Sequence, residues 1–182
     1  MSIKHLAGKR VAVLAADGSE QRQFELPRQA LKIVGAETVL VSPRSDFVTG
    51  RGVGQSGAPI KMDVQVGDAE YGDYDALFIP GGEMNINKLR HFPEAVDFVR
   101  SFFTASKPVA TTCHGPLLLI DANVVRARKV TSCPSIKAEL INAGAIWLDD
   151  PVVVHNGLVT NQKPDDIPIF TKTMIDSFWK YI

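Results

Sequence analysis

Four short runs of β-branched and apolar residues, each followed by a turn or a stretch of helical spacing, constrain this chain more than any other feature. Arg10 to Ala16 is closed by Asp17-Gly18, and Thr38 to Ser42 is a second run. Ala76 to Pro80 leads straight into Gly81-Gly82, and Val109 to Thr112 leads into Cys113-His114-Gly115-Pro116. Runs this short and this uniformly apolar read as strands buried on both faces, the pattern of a parallel sheet covered by helices. Between them, Phe24, Leu26, Ala30, Leu31 and Val34 recur at helical spacing up to Gly35, with Pro27 either kinking that helix or opening its second half. Val96, Phe98, Val99, Phe102 and Phe103 form another helical set.

The alternation implies an α/β fold: a doubly wound, mostly parallel sheet sandwiched by helices in the flavodoxin-like manner. At roughly 100–200 residues per domain, the 182 residues are expected to form one α/β domain over 1–182. Phe47 to Val66, with glycines at 50, 52, 54 and 57, reads as a small β-hairpin excursion and not as a phosphate loop. Downstream, Leu117 to Val125 reads as a buried helix, Lys129 to Ser132 as a strand, Ile136 to Ala143 as a helix and Ile146 to Leu148 as another strand. His155-Asn156-Gly157 is a hairpin turn between Val152–Val154 and Leu158–Thr160. A final helix, Ile167 to Tyr181, sets Ile169, Phe170, Thr173, Met174, Phe178 and Trp179 on one side, with Asp165 and Asp166 positioned to cap it.

Composition narrows the function classes. Twenty Lys and Arg balance twenty Asp and Glu, so no net field draws the chain to nucleic acid or an anionic membrane. No apolar run approaches the roughly 20 residues that cross a bilayer, and the N-terminal Lys4, Lys9 and Arg10 lead into no secretory pattern, so a cytoplasmic protein is expected. Two cysteines, Cys113 and Cys133, are too few for a disulfide scaffold, and they and the four histidines show no metal-ligand spacing. Neither metal nor cofactor is expected.

Ligands of an open parallel sheet sit beyond the carboxyl ends of its strands. Three such ends carry Asp17-Gly18-Ser19-Glu20, Gly81-Gly82-Glu83 and Cys113-His114-Gly115-Pro116. A strand entering a helix through Cys-x-Gly-Pro turns sharply enough to lift the Cys113 sulfur above the sheet edge, and the helix dipole and backbone N–H groups there favour a thiolate. They also suit an oxyanion, with Gly81, Gly82 and Gly115 as candidate donors or pocket residues. The bland reading is a small hydrophobe packed in a tight corner. Glu20 is either a protonated acid donating to that sulfur or an ordinary carboxylate at a helix start. His114 either pairs with Cys113 or satisfies a backbone group, and Cys133, in Thr131-Ser-Cys-Pro134, either lines the cleft as a secondary thiol or simply packs.

These motifs resemble the PfpI-like superfamily, whose members include intracellular cysteine proteases, the parkinsonism-associated deglycase and glyoxalase, and bacterial general stress proteins, on a fold like that of class I glutamine amidotransferases. The resemblance runs from Val11 through Glu20, Ile79-Pro-Gly-Gly82, Ala110-Thr-Thr-Cys-His-Gly-Pro116 and Thr131-Ser-Cys-Pro-Ser-Ile-Lys137 to Asn142-Ala-Gly144 and Pro164-Asp-Asp166. It implies Cys113 as nucleophile, Glu20 as the protonated acid on its sulfur, His114 as the histidine of the protease-like branch, and Gly82 and His114 as backbone oxyanion donors. It also implies a homodimer or larger homo-oligomer. Two positions depart from the pattern. Asn87 stands where the protease-like branch has a carboxylate, which removes the charge that would stabilise an imidazolium. Cys133 stands where the glyoxalase-like branch commonly has histidine.

Two functions follow as expectations. One is a cytoplasmic stress-response enzyme, a cysteine hydrolase or glyoxalase/deglycase, whose Cys113 attacks a small electrophilic carbonyl or a peptide substrate. The other is a redox sensor in which Cys113 is oxidised to sulfenic or sulfinic acid without turnover.

Overall fold

A computed structural model describes residues 5–43, 46–52 and 55–182; the N-terminal Lys4 and the hairpin's Gly54 lie outside the described residues. In chain order the elements are β1 (Arg10–Leu14), β2 (Ser19–Glu20), α1 (Gln21–Ile33), β3 (Glu37–Ser42), β4 (Phe47–Gly52), β5 (Gln55–Lys61) and β6 (Val64–Gln65). There follow β7 (Ala76–Ile79), α2 (Glu83–Arg90), α3 (Pro93–Thr104), β8 (Val109–Thr112), α4 (Pro116–Asp121), β9 (Lys129–Val130) and α5 (Lys137–Asn142). The chain finishes with β10 (Ile146–Trp147), β11 (Val152–His155), β12 (Leu158–Asn161) and α6 (Ile167–Tyr181), and short 3-10 turns join several of these.

Seven strands form the main sheet in the order β11-β12-β8-β7-β1-β3-β6, parallel throughout except for β11. The chain winds outward from β1 in one direction through β3 and in the other through β7, β8 and β12, so the strand order reverses between β1 and β7. That reversal is where an open sheet leaves a crevice at its carboxyl edge.

Alternation along each strand splits the core into two layers. Ala12, Leu14, Leu77 and Ile79 pack beneath α2, α3, α4 and α5 with Phe98, Phe102 and Leu118. Val11, Val13, Phe78 and Ala110 face α1 and α6 with Leu31, Phe170, Met174 and Phe178. Both faces being covered explains why β1 and β7 are almost wholly apolar, while the polar residues Thr111, Thr112, Thr160 and Asn161 sit buried on β8 and β12. In the first layer Phe98 and Phe102 stack edge-on at 5.1 Å between centroids. Arg90 binds Asp121 through two hydrogen bonds of 2.5 and 3.1 Å, tying α2 to α4, the helix that leaves Cys113.

The structure corrects several expectations. The helix α2 was not foreseen, because Glu-Met-Asn-Ile-Asn-Lys-Leu-Arg buries only Asn85, Ile86 and Leu89 and shows little apolar periodicity. The helix after Cys113 stops at Asp121 instead of Val125. The strand expected over Lys129–Ser132 is two residues long and pairs with β10 in a separate two-stranded sheet. The excursion after residue 46 is the expected hairpin, β4 against β5, but Val64–Gln65 leaves it to join the main sheet beside β3. Pro27 opens no second helix: α1 runs through it as one element from Gln21 to Ile33.

Leu26 on α1, and Ile169 and Trp179 on α6, are exposed and not core. The packed stripe of α6 is Ile167, Phe170, Met174, Ser177 and Phe178, from which the neighbouring positions 169 and 179 are turned by about 100°. Asp166 precedes α6 without making a side-chain cap hydrogen bond. Among the described residues no helix is long and apolar enough to cross a membrane.

Candidate active site at the Cys113 elbow

The carboxyl ends of β1, β7 and β8 converge as their order in the sheet requires, and each is pinned by buried polar groups. Asn85 accepts a hydrogen bond from Ala16 N–H (2.6 Å) and donates to the Pro80 carbonyl (2.8 Å), stapling the end of β1 to the end of β7. Gly82 has φ 106, and a Cβ there would lie 2.7 Å from both Gly18 O and Glu20 N, so only glycine permits this approach.

Cys113 has φ 56, a left-handed conformation that costs a non-glycine residue of order 1–3 kcal/mol and recurs at functional sites. Its N–H donates to Asn161 O (3.0 Å) and its carbonyl accepts from Cys133 N–H (3.1 Å), so neighbouring chain segments hold the corner on both sides. Gly115 N–H closes the turn onto Thr112 O (2.8 Å). A Cβ on Gly115 would meet Thr111 Oγ1 at 1.7 Å, which is why this position takes glycine before Pro116 opens α4.

The sulfur of Cys113 is 8% exposed by residue and receives two donors, the His114 backbone N–H and the Gln23 side chain. Gln23 was not among the expected site residues. It lies in the first turn of α1, buried to 2% exposure, where its Oε1 accepts from Thr112 Oγ1 (2.7 Å). Thr112 Oγ1 in turn accepts from Gly81 N–H (2.7 Å). One chain of hydrogen bonds thus runs from the Gly81-Gly82 turn through Thr112 and Gln23 to the Cys113 sulfur.

Of the two readings of Glu20, the structure shows the helix-start one: its side chain accepts from Gln23 N–H (2.8 Å) and caps α1. The group on the sulfur is an amide three residues further along the same helical turn. The N–H groups of Gly81 and Gly115 are spent inside the fold, on Thr112 Oγ1 and Thr112 O, and Gly82 lies at the cleft wall.

Cys133 packs against Cys113 directly. Cys113 Sγ, Cys133 Sγ and a ring nitrogen of His114 all lie within 4.8 Å of one another. Ser135 Oγ is 3.0 Å from the Cys133 sulfur and 3.5 Å from His114 Nε2. The Cys133 thiol is pulled below its ordinary value, first by the hydrogen bond from Cys113, then by those from His114 and Ser135 against the opposing effect of burial. The Cys113 thiol is pushed up, first by that same bond with Cys133 and then by burial, while the His114 N–H and Gln23 pull the other way with less effect.

Two thiols this close do not ionise independently, because loss of a proton from one opposes loss from the other. His114 is raised, first by its hydrogen bond to Cys133 and also by the Glu83 carboxylate, which favours the protonated ring beside the sulfurs. Two sulfurs and an imidazole are also a donor set that zinc takes elsewhere; the fold gathers them from two segments, which no local spacing reveals.

Asn87 is exposed on α2, and its backbone carbonyl accepts from His91 Nδ1 (2.6 Å). A cleft of about 600 Å³ is lined by Gly18, Glu20, Arg51, Gly82, Glu83 and Met84 with Asn87, Lys88 and His91. Cys113 is not in its wall. The cleft reaches the chemistry through Gly82 and Glu83, so we take the sulfur pair, and not the cleft's volume, as the centre of the site.

Comparison with known proteins agrees with this architecture. The model of the DJ-1/PfpI family matches residues 9–177. General stress protein 18 of Bacillus subtilis is 39% identical over 167 residues, covering 91% of this chain and 95% of that protein. A deglycase of Pyrococcus abyssi is 36% identical over 158 residues, covering 87% and 92%. Among solved structures, a two-domain protein of Anabaena variabilis containing DJ-1/ThiJ/PfpI-like and ferritin-like domains aligns with TM-score 0.87 and 34% identity over 92% of this chain and 47% of that one.

Proposed function

The chain belongs to the DJ-1/PfpI family, and from that premise we propose that it is a cytoplasmic, cysteine-dependent enzyme of the deglycase or glyoxalase type, working on small electrophilic carbonyls as a homo-oligomer. The observation that carries the reading is the Cys113 corner: a cysteine at φ 56 on the elbow that opens α4, its sulfur within 4.8 Å of the Cys133 sulfur and a ring nitrogen of His114.

Each group has a definable task. The proton of Cys113 moves to Cys133 as the Cys113 sulfur attacks the carbonyl carbon. The C–S bond forms, the carbonyl π electrons move onto oxygen, and a Gly82 N–H at the cleft wall offers that oxygen a hydrogen bond. His114 then gives its proton to the oxyanion, and a hemithioacetal results. Turnover of a dicarbonyl then needs the proton on the hemithioacetal carbon moved to the neighbouring carbonyl carbon, with the now neutral His114 as base, and water to cleave the resulting thioester and restore the thiol. Peptide hydrolysis asks for a carboxylate behind the histidine, and where the resemblance puts that carboxylate this chain has the uncharged amide of Asn87. The stress-protein and deglycase names of the relatives support the same choice.

The test compares methylglyoxal consumption and peptide hydrolysis by wild type and Cys113→Ser. Methylglyoxal turnover that the substitution abolishes is the expected result. Equal turnover by both proteins overturns the proposal, and selective Cys113 oxidation with no turnover at all would favour the redox sensor in its place.

A further inference from the structure

The closeness of Cys113 and Cys133 does more than couple their ionisation. Cys133 N–H donates to Cys113 O at 3.1 Å, which sets the two backbones side by side. Their sulfurs lie within 4.8 Å of each other, close enough for side-chain rotation to bring them together. Cys133 is half-buried and open to small solutes, whereas Cys113 is shielded. We propose that Cys133 is a second reactive thiol of the site, which with Cys113 reduces hydrogen peroxide by closing an intrachain disulfide.

The electron balance is complete with one peroxide. The Cys133 thiolate attacks a peroxide oxygen; the S–O bond forms, the O–O bond breaks, and the departing hydroxide takes a proton from His114 to leave as water. The Cys113 sulfur, its thiol proton passing to the Cys133 hydroxyl, then attacks the sulfenic sulfur. The S–S bond forms and the S–O bond breaks, releasing a second water. Both thiols have given up one electron each, and an external dithiol restores the pair. The bridge also keeps Cys113 from proceeding to the irreversible sulfinic acid.

The inference rests on the reading of Cys113 as a reactive sulfur, and the experiment separates the two. Reduced wild-type protein is treated with one equivalent of hydrogen peroxide, digested without reductant and mapped, alongside Cys133→Ser and Cys133→Val. The expected result is loss of both free thiols, a peptide pair joined through Cys113 and Cys133 within one chain, and recovery of both thiols with dithiothreitol. In either variant, given a second equivalent of peroxide, Cys113 should instead accumulate sulfinic acid that dithiothreitol does not reverse. Wild type that forms Cys113 sulfinic acid while Cys133 stays free, or that bridges only between chains, overturns the inference. Iodoacetamide labelling of the reduced protein completes the design. Labelled Cys113 without a bridge defeats this inference alone, whereas Cys113 that stays unlabelled until unfolding defeats the reading of the site as well.

Discussion

Replacing Gln23 by alanine cuts the hydrogen-bond chain that runs from Gly81 to the Cys113 sulfur, and its cost can be worked from the contacts. The Thr112 hydroxyl, 0% exposed, loses its only acceptor at 2.7 Å. A buried donor left unpaired costs about 1–3 kcal/mol, and the emptied space adds about 1 kcal/mol more. A total near 3 kcal/mol lowers Tm by about 6–12 °C at 2–4 °C per kcal/mol in a chain of this size. The assay is a thermal-melt double-mutant cycle with Thr112→Val. Once Thr112 has no hydroxyl, the Gln23 truncation strands nothing there, so the two losses should fall short of additivity by about 1 kcal/mol or more. Additivity within about 0.5 kcal/mol would refute the relay. Gln23→Glu supplies a contrast: an ionised carboxylate still accepts from Thr112 but repels a thiolate, so it should slow iodoacetamide labelling while preserving more of the melting temperature than alanine does.

Three further outcomes are expected. Cys113→Gly should be more stable than Cys113→Ala by about 1 kcal/mol in urea denaturation, because φ 56 strains alanine and not glycine; equal stabilities would mean the corner is relaxed. Gly115→Ala drives its Cβ to 1.7 Å from Thr111 Oγ1, so Thr111 must rotate out of its bond to Ile79 O; a loss of about 1–3 kcal/mol and reduced Cys113 labelling should follow. Because the Cys133 pKa is lowered, its thiolate, and hence its labelling by a neutral alkylating agent, should persist as pH falls below the ordinary thiol range and be lost only through the lowered value; Cys113→Ala removes the main donor and should move that inflection upward.

The elbow was legible because its chemistry is local: strand, cysteine, glycine and proline follow one another, and the turn they force is the turn observed. The parallel sheet was legible for the same reason, since each buried strand advertises itself by an unbroken apolar run. What lay beyond reach depends on tertiary placement. Gln23 is a polar residue in a helix's first turn, and nothing near it in the chain says that α1 delivers it to a sulfur ninety residues away. Glu20 was the more conspicuous acid and took that role on paper, while its carboxylate in fact caps the helix. Cys133 looked like filler because its partner is twenty residues upstream on another segment. The helix α2 was missed because it rests on two apolar residues and one buried amide, Asn85, whose value is in stapling two strands rather than in filling a core.

Thiolate counting by ultraviolet absorbance across a pH titration tests the central claim most directly. If ionisation of one sulfur opposes ionisation of the other, one thiolate per chain should form well below the ordinary thiol range and the other only well above it, with Cys133→Ser leaving a single ionisation. Two thiolates that arise together near the ordinary value of about 8.5 would contradict it.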